Sequence, residues 1–562
     1  MKLVYQAVSL AVSFATLGYV PNTVLAAPRI PEPLLNSSAI YCTDTWNGSF
    51  NPQRAEVGSN VNVVTEHIYD KLIEFDPNEN RLIPSLAERF EVSEDGLLIT
   101  FHLRKDVEFQ HTNWFTPTRK MNAEDVVFSL NRMMNKEFEL PELSEEQQET
   151  LRRYHINHEI AERTYFPYFE SVRLEESIKA VSIIDDNTVQ IELWQKSPTI
   201  LEHLSSQHAV ILSKEYALQL NADDNLQQLA RLPVGTGSYQ LENYAQNDFA
   251  RLKANSYYWR EQPEITNMVV DFASSSTGRM AKFLNGECDI LAFPEPSQMP
   301  ILKKQKSRII ENEGANLAFL AFNTERETMK NALLRRKIAE SINRKRLLKT
   351  LFYDTAKIAD SVLPYAISHQ INSKSYPYQP EPISKKLRKS DRFSLWVVDE
   401  KKVYNSHPVK MAELIRSDLA KVGIRLNIRK VSRAYLVQQI ANNTADYDLI
   451  LDGWLANNFQ ADDFFRPILS CQSVNSITNL SNWCSPAFDA LLDSAKSLPD
   501  GDAKNGLYEF AQDLLEKEMP VLPLVSVDRI VVTTDKIDNL SISRFGHVNL
   551  AKLKLKYNVG NE

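Results

Sequence analysis

At 562 residues, with 43% hydrophobic and 24% charged side chains, the chain is too long for one core and too apolar for disorder. Its 72 acidic against 64 basic residues give a net charge of −8, which argues against a nucleic-acid binder built on overall basicity. Fifteen glycines disfavour a fold made of many phosphate-cradling loops.

Lys2 is the only charged residue before Arg29, and residues 3–20 are largely apolar, diluted by Ser9, Ser13 and Thr16. Small residues at Val24-Leu25-Ala26 then complete the pattern of a secretory signal peptide spanning 1–26, with an uncleaved anchor as the alternative. The first cysteine is Cys42, too far from the cleavage point for lipid attachment, so a free periplasmic protein is expected.

Asn122 caps a predicted helix that turns Val126, Leu130, Met133 and Met134 inward, with Asp125 in its first turn. The polar, Glu-rich stretch 138–169 reads as a surface insertion. A helix from about Asn331 carries Leu334, Ile338 and Ile342 inward and a basic outer face. Residues 393–398 read as a buried strand. A helix follows with Met411, Leu414, Ile415, Leu419 and Val422 on one face, closed by Gly423. Ile424, Leu426 and Ile428 alternate as a second strand, a short helix runs from about Arg433, and 447–452 is a third strand. Leu507, Phe510 and Leu514 mark a late helix ended by Pro520.

Strand–helix–strand–helix–strand is an open parallel α/β unit, whose ligands bind outside the carboxyl ends of the strands. The loops leaving those ends, 399–404 and 453–463, are therefore candidate site loops. Two apolar stretches, 317–322 and 521–527, are placed to cross between lobes.

No catalytic motif survives inspection: GxSxG, HExxH and GxxxxGK[ST] are absent. Gly235 and Gly237 sit in GTGSYQ, which has the wrong order for a nucleophile elbow and an incomplete dinucleotide fingerprint. His155, His158 and Glu159 form HxxHE, an inverted order for a zinc site, and His203 and His208 are spaced poorly for one helix face. Asp462 and Asp463 have no identifiable acid–base partner. Neither a metal nor a cofactor is expected.

Four cysteines in an exported chain point to disulfides. Of three pairings, the favoured one joins Cys471 to Cys484 across a polar loop, leaving Cys42 with Cys288. The basic runs 335–337, 344–346 and 385–389 read as solvated faces, open to incidental polyanion contact but without a dedicated nucleic-acid site.

Residues 86–109, LAERFEVSEDGLLITFHLRKDVEF, resemble the signature of the family 5 extracytoplasmic solute-binding proteins, with Ala87, Asp95, Gly96, Phe101, Leu103, Arg104, Val107 and Phe109 on its spacing. AEDVVFS, PVGTGSYQL, YW, LNGECDI, AFNT, MAELIRSDLAKVGI and VLPL follow in family order, across nearly the whole mature chain. Within that family, of oligopeptide, dipeptide, nickel and haem binders, the sequence looks most like the SapA branch, which serves a transporter associated with antimicrobial-peptide handling.

The resemblance implies an α/β, two-lobed periplasmic binding protein of the class II, cluster C type. Lobe I would take 27–74, 211–314 and 526–562; an extra subdomain, Ib, 75–210; and lobe II, 315–525. Both disulfide pairings resemble those of dipeptide binders. The implied function is a monomeric carrier that holds a peptide by hinge closure and delivers it to an inner-membrane ABC permease and its ATPases. A haem or metal-chelate carrier is the alternative within the family, and a hydrolase or chaperone-like adaptor the alternative outside it.

Dipeptide binders carry an Asp for the ligand's ammonium in the loop after GW; here the matching residue is Asn457. Their RPY arginine, which meets the ligand carboxylate, is replaced by Lys402 in Lys402-Val403-Tyr404. An amide and a point charge replace a charge and a bidentate fork, so a ligand other than a clamped dipeptide is expected. Trp454, Tyr404 and Trp46 are candidate apolar walls, and Asp462 a candidate charge for cationic side chains.

Overall fold

Two large sheets, joined where a pair of strands passes from one to the other, organise the chain. The computed structural model describes residues 38–44, 49–55, 62–76, 81–134, 166–197, 199–222, 225–305, 307–368, 371, 376–386, 390, 392–456, 460–498 and 501–556. The expected signal peptide, most of the polar insertion with its HxxHE, Trp46 and Asn457 lie outside these residues.

The seven-stranded sheet runs, in spatial order, through Arg308–Asn312, Arg529–Thr533, Ile290–Ala292, Ser38–Thr43, Asn267–Phe272, Phe249–Ala254 and Tyr239–Ala245. The six-stranded sheet runs through Ala356–Ile358, Val521–Val527, Asn316–Phe322, Leu449–Leu455, Arg392–Val398 and Arg425–Val431. A third, four-stranded antiparallel sheet is formed by Ala87–Val92, Leu98–Leu103, Thr188–Leu193 and Ile178–Asp185. It is entered and left side by side, since Lys71 bridges Val210 and the Ile211 amide donates to the Asp70 carbonyl at 3.0 Å.

The expected parallel unit forms. Arg392–Val398 lies between Arg425–Val431 and Leu449–Leu455, parallel to both, with the Pro408–Lys421 and Arg433–Ala441 helices as crossovers. Gly423 ends the first helix at φ +86°, a backbone shape that only glycine adopts freely. The sheet as a whole is mixed rather than parallel, because Asn316–Phe322 pairs antiparallel with both Leu449–Leu455 and Val521–Val527. The third parallel strand begins two residues later than expected and runs on through Gly453-Trp454-Leu455, so the loop beyond it starts at Ala456.

Asn316–Phe322 and Val521–Val527 are almost wholly buried and sit at the centre of the six-stranded sheet. Their neighbours Arg308–Asn312 and Arg529–Thr533 pair antiparallel in the other sheet. The chain thus crosses twice, at 313–315 and at Asp528. There the Asn316 side chain takes over the backbone pairing, donating to the Val527 carbonyl at 2.7 Å and accepting from the Val527 amide at 3.0 Å. A Cβ on Gly314 would fall 2.0 Å from the Val527 carbonyl oxygen, which explains the glycine.

Several motifs of the family resemblance are structural. Asp125 completes a capping box at the start of Ala123–Met133 and receives both guanidinium nitrogens of Arg119, at 2.7 and 3.0 Å. The glycines of GTGSYQ lie on the carbonyls of His67 and Ile68, where a Cβ would sit 2.0–2.4 Å from oxygen. The buried Gln110 amide bonds Ile68, Gly237 and Tyr239 carbonyls. Trp259, of the YW pair, and Thr236 both donate to Asp70, a buried carboxyl that desolvation pushes above its usual range. Cys42 bonds Cys288 and Cys471 bonds Cys484.

Two expectations are corrected by burial. The Asp502–Glu518 helix buries Tyr508, Ala511 and Leu515 and packs Leu507 and Leu514 half-buried against the same core, but Phe510 of the expected stripe is 63% exposed, because Tyr508 packs on Phe465 and reaches Asp462. The basic runs are not simply solvated faces. Arg335 is buried and donates to the carbonyls of Met329, Lys330, Glu518 and Met519; Arg344 is buried and donates to those of Ala359 and Tyr376. A guanidinium has enough donors to satisfy several orphan carbonyls at once.

Candidate functional site

The carboxyl ends of the parallel strands carry the residues singled out in the sequence, and most of those described are packed rather than open. Tyr404 is buried, and its hydroxyl donates to Asp452 Oδ1 at 2.7 Å. Asp452 also accepts from Arg433 Nη1 at 2.9 Å and from the Gly453 amide. Burial, then the Asp452 charge, holds the Tyr404 hydroxyl well above its ordinary range, so it stays a donor. A Cβ on Gly453 would lie 2.3 Å from the Tyr404 ring and 2.4 Å from the Leu317 carbonyl oxygen. The glycine of the GW pair is therefore what lets this ring lie flat on the central strands.

Trp454, 4% exposed, belongs to the core of the six-stranded sheet, and its indole N–H is buried without a hydrogen-bond acceptor among the described residues. Lys402 is mostly covered and lies 3.3 Å from Glu400, in a tight turn closed by backbone bonds with Asn405. Asp462 is buried at the start of Asp462–Leu469 and paired with Arg466 at 2.8 Å, so its charge is committed to the protein. The structure thus brings Tyr404, Trp454 and Lys402 to one end of the six-stranded sheet, with Asp462 further along the second loop.

Contacts between lobes were invisible in the sequence. Glu295, mostly buried on the seven-stranded side, accepts from Lys401 at 2.5 Å and lies 3.6 Å from His407, both from the loop after Arg392–Val398. Arg173, held at φ +50°, donates to the Gln472 carbonyl at 2.7 Å and ties the four-stranded region to the Cys471 loop. Phe75 packs edge-on against Phe545 at 6.3 Å. Each partner comes from a distant part of the chain, and no local pattern announces it.

A cavity of about 730 Å³ opens along that seam, the size of a small-molecule site. Arg173, Lys196 and His203 line one wall; Asp463, Arg466 and Lys496 line the other. Among the described residues no cluster of three or more His, Cys, Asp or Glu side chains is arranged to hold a metal, and no helix is long and apolar enough to cross a membrane.

Nothing in this geometry is specific to one reaction; a polar cleft between two lobes joined by paired crossing strands is the geometry of capture. The family model described as bacterial extracellular solute-binding proteins, family 5 Middle, matches residues 81–476. The chain belongs to this family. As a family 5 solute-binding protein it is 40% identical over 536 residues to the peptide transport periplasmic protein SapA of Haemophilus influenzae, covering 94% of this chain and 95% of that one. Among solved structures it is similar to the dipeptide binding protein of Pseudoalteromonas sp. SM9913 in complex with Met-Leu. That match has a TM-score of 0.79 and 30% identity, over 92% of this chain and 100% of that one. DppA of Helicobacter pylori in complex with the peptide STSA is similar at a TM-score of 0.78 and 26% identity, over 92% and 98% of the two chains.

Proposed function

We propose that this family 5 protein is the periplasmic solute-binding component of an ABC importer and that it captures peptides between its lobes without turning them over. The observation that carries the reading is the end-to-end similarity to the Haemophilus influenzae peptide transport protein, together with a fold shared with two structures solved with peptides bound. The loops at 399–404 and 456–463 supply the ligand contacts in this reading. Lys402, Asn457 and Trp46 would face the ligand, while Tyr404 and Trp454 form the floor beneath it and Asp462 holds the second loop through Arg466. With Asn457 and Lys402 in place of the charged residues of dipeptide binders, a peptide longer than two residues, held mainly by its backbone, is the expected ligand.

Native mass spectrometry of protein recovered from its own periplasm, followed by denaturing release, tests this. A heterogeneous set of short peptides is expected. Release of haem, or of no ligand from protein that also fails to bind a peptide library, would overturn it. Cleavage of the library during incubation would overturn the non-enzymatic part alone.

A further inference from the structure

Asp528 alone separates Val521–Val527 from Arg529–Thr533, and residues 313–315 alone separate Arg308–Asn312 from Asn316–Phe322. Both sides of this pivot are fixed. On one side Asn312 pairs with Arg529 in the seven-stranded sheet. On the other the Asn316 side chain clasps Val527, and the Ser526 hydroxyl donates to the Gly314 carbonyl at 2.9 Å. A rotation of one lobe against the other is therefore absorbed around Glu313 and Asp528. One further step of the Asn312–Arg529 ladder sets these two residues opposite each other, and like charges so placed repel.

Carboxylates gather at the pivot. Glu311 and Glu313 stand two residues apart on one crossing segment, and Asp528 adds a third from the other. The cation that acts on Asp528 is Lys357, from Ala356–Ile358 at the edge of the six-stranded sheet. Its ammonium is shared, being ion-paired with Glu313 and 5.3 Å above the Tyr365 ring. Arg529, next along the strand, is spent elsewhere, over Phe293 at 4.4 Å. Asp528 is half-buried, and its amide donates to the Thr355 carbonyl at 3.0 Å. Burial, opposed by Lys357 but reinforced by Glu311 and Glu313, pushes its carboxyl up to about 6.

These charges lie on both sides of the pivot, since Glu311 belongs to one sheet and Lys357 to the other. Their separations from Asp528, and the cover over it, depend on how the lobes are set. Here the lobes touch, with Lys401 donating to Glu295.

We infer that Asp528 is a proton switch built into the hinge: a proton on its carboxyl stabilises the lobe-touching arrangement, and its loss lets the charges of Glu311 and Glu313 push the pivot open. In an arrangement that hydrates the carboxyl, its pKa returns toward the ordinary ~4. The proton is therefore held more tightly in the arrangement seen here, and lowering the pH from 8 to 5 shifts the equilibrium toward it by ~10-fold. The switch does not depend on what the cleft binds.

X-ray scattering from the full-length protein without ligand, between pH 8 and pH 5, tests it. His407, 3.6 Å from Glu295, is a second pH-sensitive contact between the lobes. The series is therefore run in wild type and in Glu295→Gln, which removes that contact. In both, the radius of gyration should fall with pH. Asp528→Asn, an uncharged mimic of the protonated carboxyl, should be as compact at pH 8 as its parent is at pH 5 and should lose the Asp528 share of the response, all of it in the Glu295→Gln background. Lys357→Gln removes the cation that opposes the proton, so the midpoint should move to higher pH. A lysine of merely structural role would not move it, and this variant keeps the test available if the Asp528 variant fails to fold. The switch would be overturned by a radius independent of pH in both parents, by a response that Asp528→Asn leaves unchanged, or by a midpoint that Lys357→Gln leaves in place or lowers.

Discussion

Gly453→Ala probes the junction on which the candidate site is built. The new Cβ would lie 2.3 and 2.6 Å from two Tyr404 ring carbons and 2.4 Å from the Leu317 carbonyl oxygen. Leu317 is locked in the centre of the sheet, paired with Trp454 on one side, so the backbone has no room to yield. Tyr404 must therefore swing away. Overpacking of this kind costs ~1–3 kcal/mol. Moving the ring also breaks the bond from the Tyr404 hydroxyl to the buried Asp452 carboxylate, and a hydrogen bond to a charged group is worth ~1.5–3 kcal/mol. The expected loss is ~3–5 kcal/mol in total. Urea unfolding followed by tryptophan fluorescence reads it directly, because Trp454 and Trp396 are both buried in this sheet's core. Tyr404→Phe should lose only the hydroxyl contribution. In a Tyr404→Ala background, Gly453→Ala should cost less than in wild type, leaving the clash with Leu317. A Gly453→Ala protein within ~0.5 kcal/mol of wild type would refute the reasoning, since that is the range of an ordinary surface change.

Acid should find a specific weak point at His208, which is 1% exposed, stacked on Tyr168 at 4.6 Å and bonded to the Pro52 carbonyl. Burial lowers its pKa to about 4, so its contribution is fully present above the unfolded value of ~6.5 and is lost as pH falls from there toward 4. Urea midpoints at pH 7 and pH 4.5 should differ less in His208→Phe than in wild type, and an unchanged pH dependence would count against it. Glu295→Gln removes the carboxylate shared by Lys401 and His407, and should shift the unliganded protein toward the open form by ~2- to 5-fold, seen as a larger radius of gyration in X-ray scattering. Arg335→Lys leaves several buried carbonyls of 329–330 and 518–519 short of donors, and should cost ~2–4 kcal/mol in the same urea assay, whereas a solvated arginine would tolerate the change.

The parallel unit was legible in the sequence because it is built of local periods: Phe393 to Val398, the Met411 stripe and Gly423 each declare themselves within a few residues. The crossing strands were legible for a different reason, being apolar on both faces and so marked for the middle of a sheet. On the Asp502–Glu518 helix Leu507 and Leu514 face the core as expected and Phe510 does not, although a stripe through Phe510 fits the period as well as one through Tyr508 and Leu515. Only the Phe465 and Asp462 contacts decide between them. Arg335 and Arg344 look like any surface basic run, since they are satisfied by carbonyls from about 15 to nearly two hundred residues away. The site residues showed the same divide. Their address, at the strand ends, followed from topology, but that Tyr404 and Asp462 are spoken for by Asp452 and Arg466 depends on tertiary pairing.

The double crossing has a consequence for how the molecule comes into being. Arg529–Thr533, almost at the end of the described chain, is not an edge strand of its sheet; it is wedged between Arg308–Asn312 and Ile290–Ala292, the latter pairing with Ser38–Thr43. A chain that emerges from a ribosome or a translocon start first therefore makes its opening strand early and cannot complete the sheet around it until some five hundred residues later. The six-stranded sheet, opened by Asn316–Phe322, waits some two hundred residues for Val521–Val527. Both lobes thus finish together, in the last moments of chain delivery, and until then the nascent protein remains a pair of unfilled slots awaiting one returning ribbon.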